Sequence, residues 1–155
     1  MKYSIYIVSL VLLSGSLFSG CATTRQKSAI ELPGEDPKQT VLPDRNTSNA
    51  VLSLLDKARE ATRAGDYQRA EVLLERTVRI EPRNATLWHY LAKLRLAQNR
   101  FRDATGLAQK SNNLARSNNK LKADNWRIIA HARYQTGDIV GAEQAQDKAR
   151  VLIGN

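Results

Sequence analysis

A chain of 155 residues, 42% hydrophobic but only 6% aromatic, has room for one modest core, and that composition suits an Ala- and Leu-rich helical domain better than a sandwich or barrel. The formal charge of +9 and the pI near 10.0 ask for an anionic partner or surface. Cys21 is the sole cysteine, which excludes an intramolecular disulfide and leaves stability to packing.

Lys2 opens the chain, a mostly apolar run follows from Tyr3 to Leu13, and a small-residue tail ends Leu17-Phe18-Ser19-Gly20 directly before Cys21. This is the layout of an export signal. Ser14, Gly15, Ser16, Ser19 and Gly20 dilute the run below what an uncleaved membrane helix needs. The residues up to Cys21 resemble the lipobox of bacterial lipoproteins, with Phe18 where that family usually has Leu. The resemblance implies a signal peptide over 1–20, lipidation of Cys21 and a membrane anchor of several acyl chains. Ala22 in place of Asp after the cysteine implies, by the same resemblance, transport to the outer membrane with the protein facing the periplasm.

Residues 21–46 hold Pro33, Pro37, Pro43 and Gly34 and show no sustained apolar period, so they read as a flexible, disordered tether. Its charges cancel: Arg25, Lys27, Lys38 and Arg45 oppose Glu31, Glu35, Asp36 and Asp44. Such a tether reaches ~80 Å when extended and averages nearer ~30 Å as a coil. The domain over 47–155 therefore carries the excess, 19 basic against 11 acidic residues.

From Ser48 onward the apolar residues follow a helical period, broken at Gly65-Asp66 and Gly137-Asp138. Segments 51–84, 85–118 and 123–155 align as three copies of one motif. Small residues recur where paired helices approach closely: Ala58, Ala92 and Ala130 in the first helix, Ala70, Ala104 and Ala142 in the second. Tyr67, Phe101 and Ile139 supply a bulky plug after each turn, and Leu54, Trp88 and Trp126 share a column near the start of the first helix. Gly65, Asn99 and Gly137 occupy the turn, where left-handed backbone is wanted. Pro82, followed by Asn84 as a helix cap, closes the first copy.

This pattern resembles the tetratricopeptide repeat. The resemblance implies an all-α fold of three helical hairpins, about six helices, in a short right-handed superhelical stack. Three departures stand out. Lys57 replaces an expected apolar residue, the second copy lacks the closing proline, and Trp126 follows Trp88 by 38 positions in place of 34. Four extra residues make about one helical turn. Placed around 111–122, they predict a longer helix or a protruding loop.

In the repeat family the first helices line a concave groove, and the matching positions are Leu55, Arg59, Arg63, His89, Tyr90, Lys93, Arg127, His131 and Tyr134. Cations beside aromatics there suit an acidic or mixed segment of another protein. The Lys, Asn and Arg clamp of chaperone-tail binders is absent, because Leu55, Arg59, Tyr90, Asp124 and Ile128 stand at its positions. Two histidines without a cysteine or a His-Glu-x-x-His spacing predict no metal site and no cofactor. No nucleophile elbow or phosphate loop is present either, so a non-enzymatic role is expected. Export weighs against nucleic acid despite the charge, leaving anionic lipid, cell-wall polymer or an acidic protein.

Lipobox, tether and a very short repeat domain together resemble the small outer-membrane lipoproteins that activate bifunctional, class A penicillin-binding proteins, the LpoP-type activators. That resemblance implies a peptidoglycan synthase as partner. The alternative is a pilotin-like factor assisting a secretin or type IV pilus.

Overall fold

The computed structural model describes residues 46–154. The export segment, Cys21 and the tether as far as residue 45 lie outside the described residues. Six helices follow in order: α1 (Asn49–Arg63), α2 (Tyr67–Ile80), α3 (Ala85–Ala97), α4 (Phe101–Leu114), α5 (Asn119–Gln135) and α6 (Ile139–Ile153). Among the described residues there is no strand. They pair as three hairpins, α1 with α2, α3 with α4 and α5 with α6, and the hairpins stack through α2 on α3 and α4 on α5.

Local chemistry sets the ends of these helices. Ser48, Asn84 and Asn118 cap the first helix of each hairpin, their side chains accepting from the amides of Val51, Thr86 and Leu121. Asp66 and Asp138 cap α2 and α6 in the same way, while Arg100 makes no side-chain cap bond at α4. Inside each hairpin the turn residue is left-handed, with φ of 76° at Gly65, 59° at Asn99 and 84° at Gly137. Glycine or asparagine accepts that backbone at little cost, which is why these types recur there.

Both alanine columns are fully buried, at 0% exposure for Ala58, Ala92, Ala130, Ala70, Ala104 and Ala142. With no side chain beyond Cβ, they let paired helices approach closely. The plug residues are less deeply set, and Tyr67 remains 36% exposed. Trp88 and Trp126 pack against separate core clusters with part of each ring at the surface. Trp88 donates from Nε1 to the Pro82 carbonyl at 2.8 Å. Lys110 Nζ lies 5.9 Å from the Trp88 ring centroid and Lys148 Nζ 4.4 Å from that of Trp126, so the same cation–aromatic rung closes the second and third hairpins.

The four extra residues form a helical turn and no protruding loop. Links 81–84 and 115–118 have the same length, but α5 has 17 residues where α3 has 13. The third hairpin thus begins at Asn119, four positions before the boundary read from the sequence. Leu121 in the added turn is buried in a small cluster with Ala85 and Ala115. Lys57 is exposed, so its polarity costs nothing. No helix of the described residues is long and apolar enough to cross a membrane.

Candidate partner-binding face

The first helices α1, α3 and α5 supply one continuous face, with α3 and α5 in direct contact. The Arg59 guanidinium on α1 sits 5.6 Å from the centroid of the Tyr90 ring on α3. Tyr90 in turn meets the His89 ring edge-on, 5.4 Å between centroids at 76°. Burial pushes the Tyr90 hydroxyl above its usual pKa, with Asp56 and Asp124 raising it further and Arg59 opposing.

On α5 the Arg127 guanidinium donates to Asp124 Oδ1 at 2.7 Å. The other carboxylate oxygen, Oδ2, is buried without a hydrogen-bond partner among the described residues. Burial raises the Asp124 pKa, and the positive charges of Arg127, Lys120 and Lys93 act against it. A basic face therefore holds one recessed acceptor, able to take a donor from a bound chain. His131 lies one turn beyond Arg127, and burial alone lowers its pKa, so the ring is neutral near pH 7.

Of the residues read from the sequence, the structure gathers Arg59, Tyr90, Lys93 and Arg127 at this face with His131 beside them. Arg63 and Tyr134 are exposed farther along α1 and α5. Two assignments need correction: Leu55 and His89 are 1% and 3% exposed and belong to the interior. The reason is register. Each directly follows the column of Leu54 and Trp88, and that position points between successive hairpins. Leu55 joins the core with Leu87 and Leu91, and His89 is hydrogen-bonded from Nδ1 to Asn125 Oδ1 at 2.8 Å. Desolvation holds the His89 pKa down at about 4, which leaves the ring neutral and enclosed.

Asp124 and Asn125 were not among the expected site residues. The signal for Asn125 is its column: it precedes Trp126 as the fully buried Leu87 precedes Trp88. A polar residue at a buried position requires partners. Among the described residues no three His, Cys, Asp or Glu side chains converge as a metal site would need.

A family model described as tetratricopeptide repeat matches residues 61–123. The globular C-terminal domain of Pseudomonas aeruginosa LpoP superposes with a TM-score of 0.65 at 36% identity, covering 66% of this chain and 97% of that domain. The chain belongs to the tetratricopeptide-repeat proteins of the LpoP kind. Two more distant structures share the fold at a TM-score of 0.65 and 17% identity: the Yersinia enterocolitica type III secretion translocator chaperone SycD and the N-terminal domain of Caenorhabditis elegans stress-induced protein-1. They cover 72% of this chain each, and the chain covers 82% and 91% of theirs. No curated protein matches the sequence. An LpoP-like repeat domain is a scaffold for binding another protein, and its three hairpins present one such face.

Proposed function

We propose that this protein is an envelope lipoprotein, anchored through Cys21 to the outer membrane and facing the periplasm, whose repeat domain binds and activates a class A penicillin-binding protein. The likeness to the LpoP domain at 36% identity carries the reading. The face around Arg59, Tyr90, Lys93, Asp124 and Arg127 supplies the means. Guanidinium and ammonium groups there meet carboxylates of the synthase, Tyr90 offers apolar area, and the bare Asp124 oxygen takes a backbone or side-chain donor.

The lipoprotein performs no chemistry itself. It holds the synthase in its active conformation by binding that conformation more tightly, and the degree of activation is fixed by the difference in affinity.

Capture from detergent-solubilised envelope, followed by glycan polymerisation with the purified synthase, tests this. The wild-type protein is expected to retain a penicillin-binding protein and accelerate polymerisation. Arg59→Glu with Lys93→Glu is expected to abolish both while helicity by circular dichroism stays unchanged. Capture of a secretin with synthase activity unmoved would sink the reading.

A further inference from the structure

The surface charge of the domain is unevenly distributed. In each hairpin the first helix starts where the second ends, so these segments share one end of the stack. Contacts across that end establish the arrangement: Lys110 over Trp88, Lys148 over Trp126, and Ser111 Oγ donating to the Ala85 carbonyl at 2.8 Å. Arg76, Arg83, Lys110, Arg116, Lys120 and Lys148 are all exposed there. Among the described residues no carboxylate lies within ion-pair distance of any of them.

Carboxylates near this end are turned to other partners. Glu81 accepts from Ser48 and Asn84, Glu75 faces Arg95, and Asp147 pairs with Arg150. At the opposite end Arg63, Arg69 and Arg102 are also exposed without an ion pair among the described residues, but Arg100 is bridged to Asp103 at 2.6 Å and to Glu71 at 3.7 Å, Arg133 to Asp138 at 3.7 Å, and the carboxylates of Glu60 and Asp66 stand among the rest.

A second observation says what this end faces. The described chain enters there: Thr47 Oγ1 accepts from Asn84 Nδ2 at 2.8 Å, and Ser48 caps α1. Whatever precedes residue 46, including Cys21, is attached to the basic end of the stack and not to its far end.

We propose that this end of the domain docks on an anionic phospholipid bilayer, laying the repeat stack against the membrane with the face of α1, α3 and α5 turned sideways and open. Cations spread over three hairpins match a plane of separate phosphates, which needs no pocket. Single-stranded nucleic acid would want exposed aromatic rings to stack on, and the two at this end, Trp88 and Trp126, lie partly buried beneath lysines. Each cation contributes weakly and only within a Debye length of the surface. A lipid anchor some 25 residues away at Cys21 would compensate by holding the domain within about 30 Å of the bilayer, at high effective concentration. Docking rests on the lipid anchor proposed at Cys21 and not on the synthase reading, and its failure would leave partner capture untouched.

The domain from Asn46 to Asn155, which contains the three core clusters of the described residues, is sedimented with phosphatidylcholine vesicles, with and without phosphatidylglycerol. Binding is expected only where phosphatidylglycerol is present, and it should fall steeply as salt is added. The triple variant Arg76→Glu, Arg83→Glu, Arg116→Glu should bind about ten-fold or more weakly. The triple Arg63→Glu, Arg69→Glu, Arg102→Glu makes the same change in net charge at the far end and should bind nearly as wild type. If glutamate impairs folding by circular dichroism, the glutamine triples give the same contrast. Equal binding to neutral vesicles, equal loss in the two triples, or capture by peptidoglycan sacculi or duplex DNA with phosphatidylglycerol vesicles ignored would each overturn the proposal.

Discussion

His89 on α3 and Asn125 on α5 are joined by a buried hydrogen bond of 2.8 Å, which opens a polar chain between the second and third hairpins. Asn125 Nδ2 donates to Ser111 Oγ at 2.8 Å and to Asn112 Oδ1 at 3.0 Å, and Ser111 passes the chain to the Ala85 carbonyl. Since the amide nitrogen is already donating, Oδ1 must accept, and that fixes His89 as the tautomer protonated at Nδ1.

This enclosure makes the domain acid-sensitive in a definable window. Folded His89 titrates at about 4 against an ordinary value of 6.5, so between those limits the unfolded chain takes a proton that the folded one refuses. The His89 contribution to stability is complete above pH 6.5, declines as pH falls toward 4, and levels off below. The loss is on the order of 3 kcal/mol. Urea melts at intervals across this range should show it. His89→Gln, which keeps a donor for Asn125 but cannot titrate, should flatten the slope; an unchanged slope would remove His89 as its cause.

Arg95 provides a second test of buried polarity. It is 6% exposed on α3 and paired with Glu71 and Glu75 of α2, with Gln98 accepting from its Nη1. The Arg95 hydrogen bond chiefly, with help from Gln98, holds the Glu71 pKa down at about 2. That stability is present above the usual carboxylate range and is lost only as pH falls toward 2, below the His89 window. Glu71→Gln should cost about 1–3 kcal/mol in chemical denaturation near pH 7, because a buried guanidinium loses its main acceptor. A smaller cost would mean that Glu75 closes the gap.

The alanine columns were readable in advance because close approach of two helices admits only small side chains, and that constraint leaves the same mark in every copy. Ala92→Leu or Ala130→Leu should therefore destabilise by about 1–3 kcal/mol through overpacking, seen as a lower urea midpoint with an unaltered slope. The groove was only partly legible. A polar residue on a helix ordinarily marks solvent, and His89 breaks that rule because α3 is packed by α2, α4 and α5 together. Of its 13 residues, eight are buried, leaving no polar stripe for a periodicity to reveal. Leu55 failed for the opposite reason: an apolar residue fits a binding groove and a core equally well until its neighbours are known.

The added turn of α5 yields the last prediction. Four extra residues in a repeat are tolerated when they complete a helical turn, since the side chains beyond then return to the same face. Ala130 at 0% exposure beyond the insertion shows that the register is kept. Leu121 is what ties the turn down, at 1% exposure against Ala85 and Ala115. Truncation by Leu121→Ala should cost about 2–5 kcal/mol if the turn is part of the cooperative core, and amides of α3 and α5 should then exchange faster together. A cost below about 1 kcal/mol, in the range of surface substitutions, would instead make the turn an appendage that frays on its own and contributes nothing to the contact between the second and third hairpins.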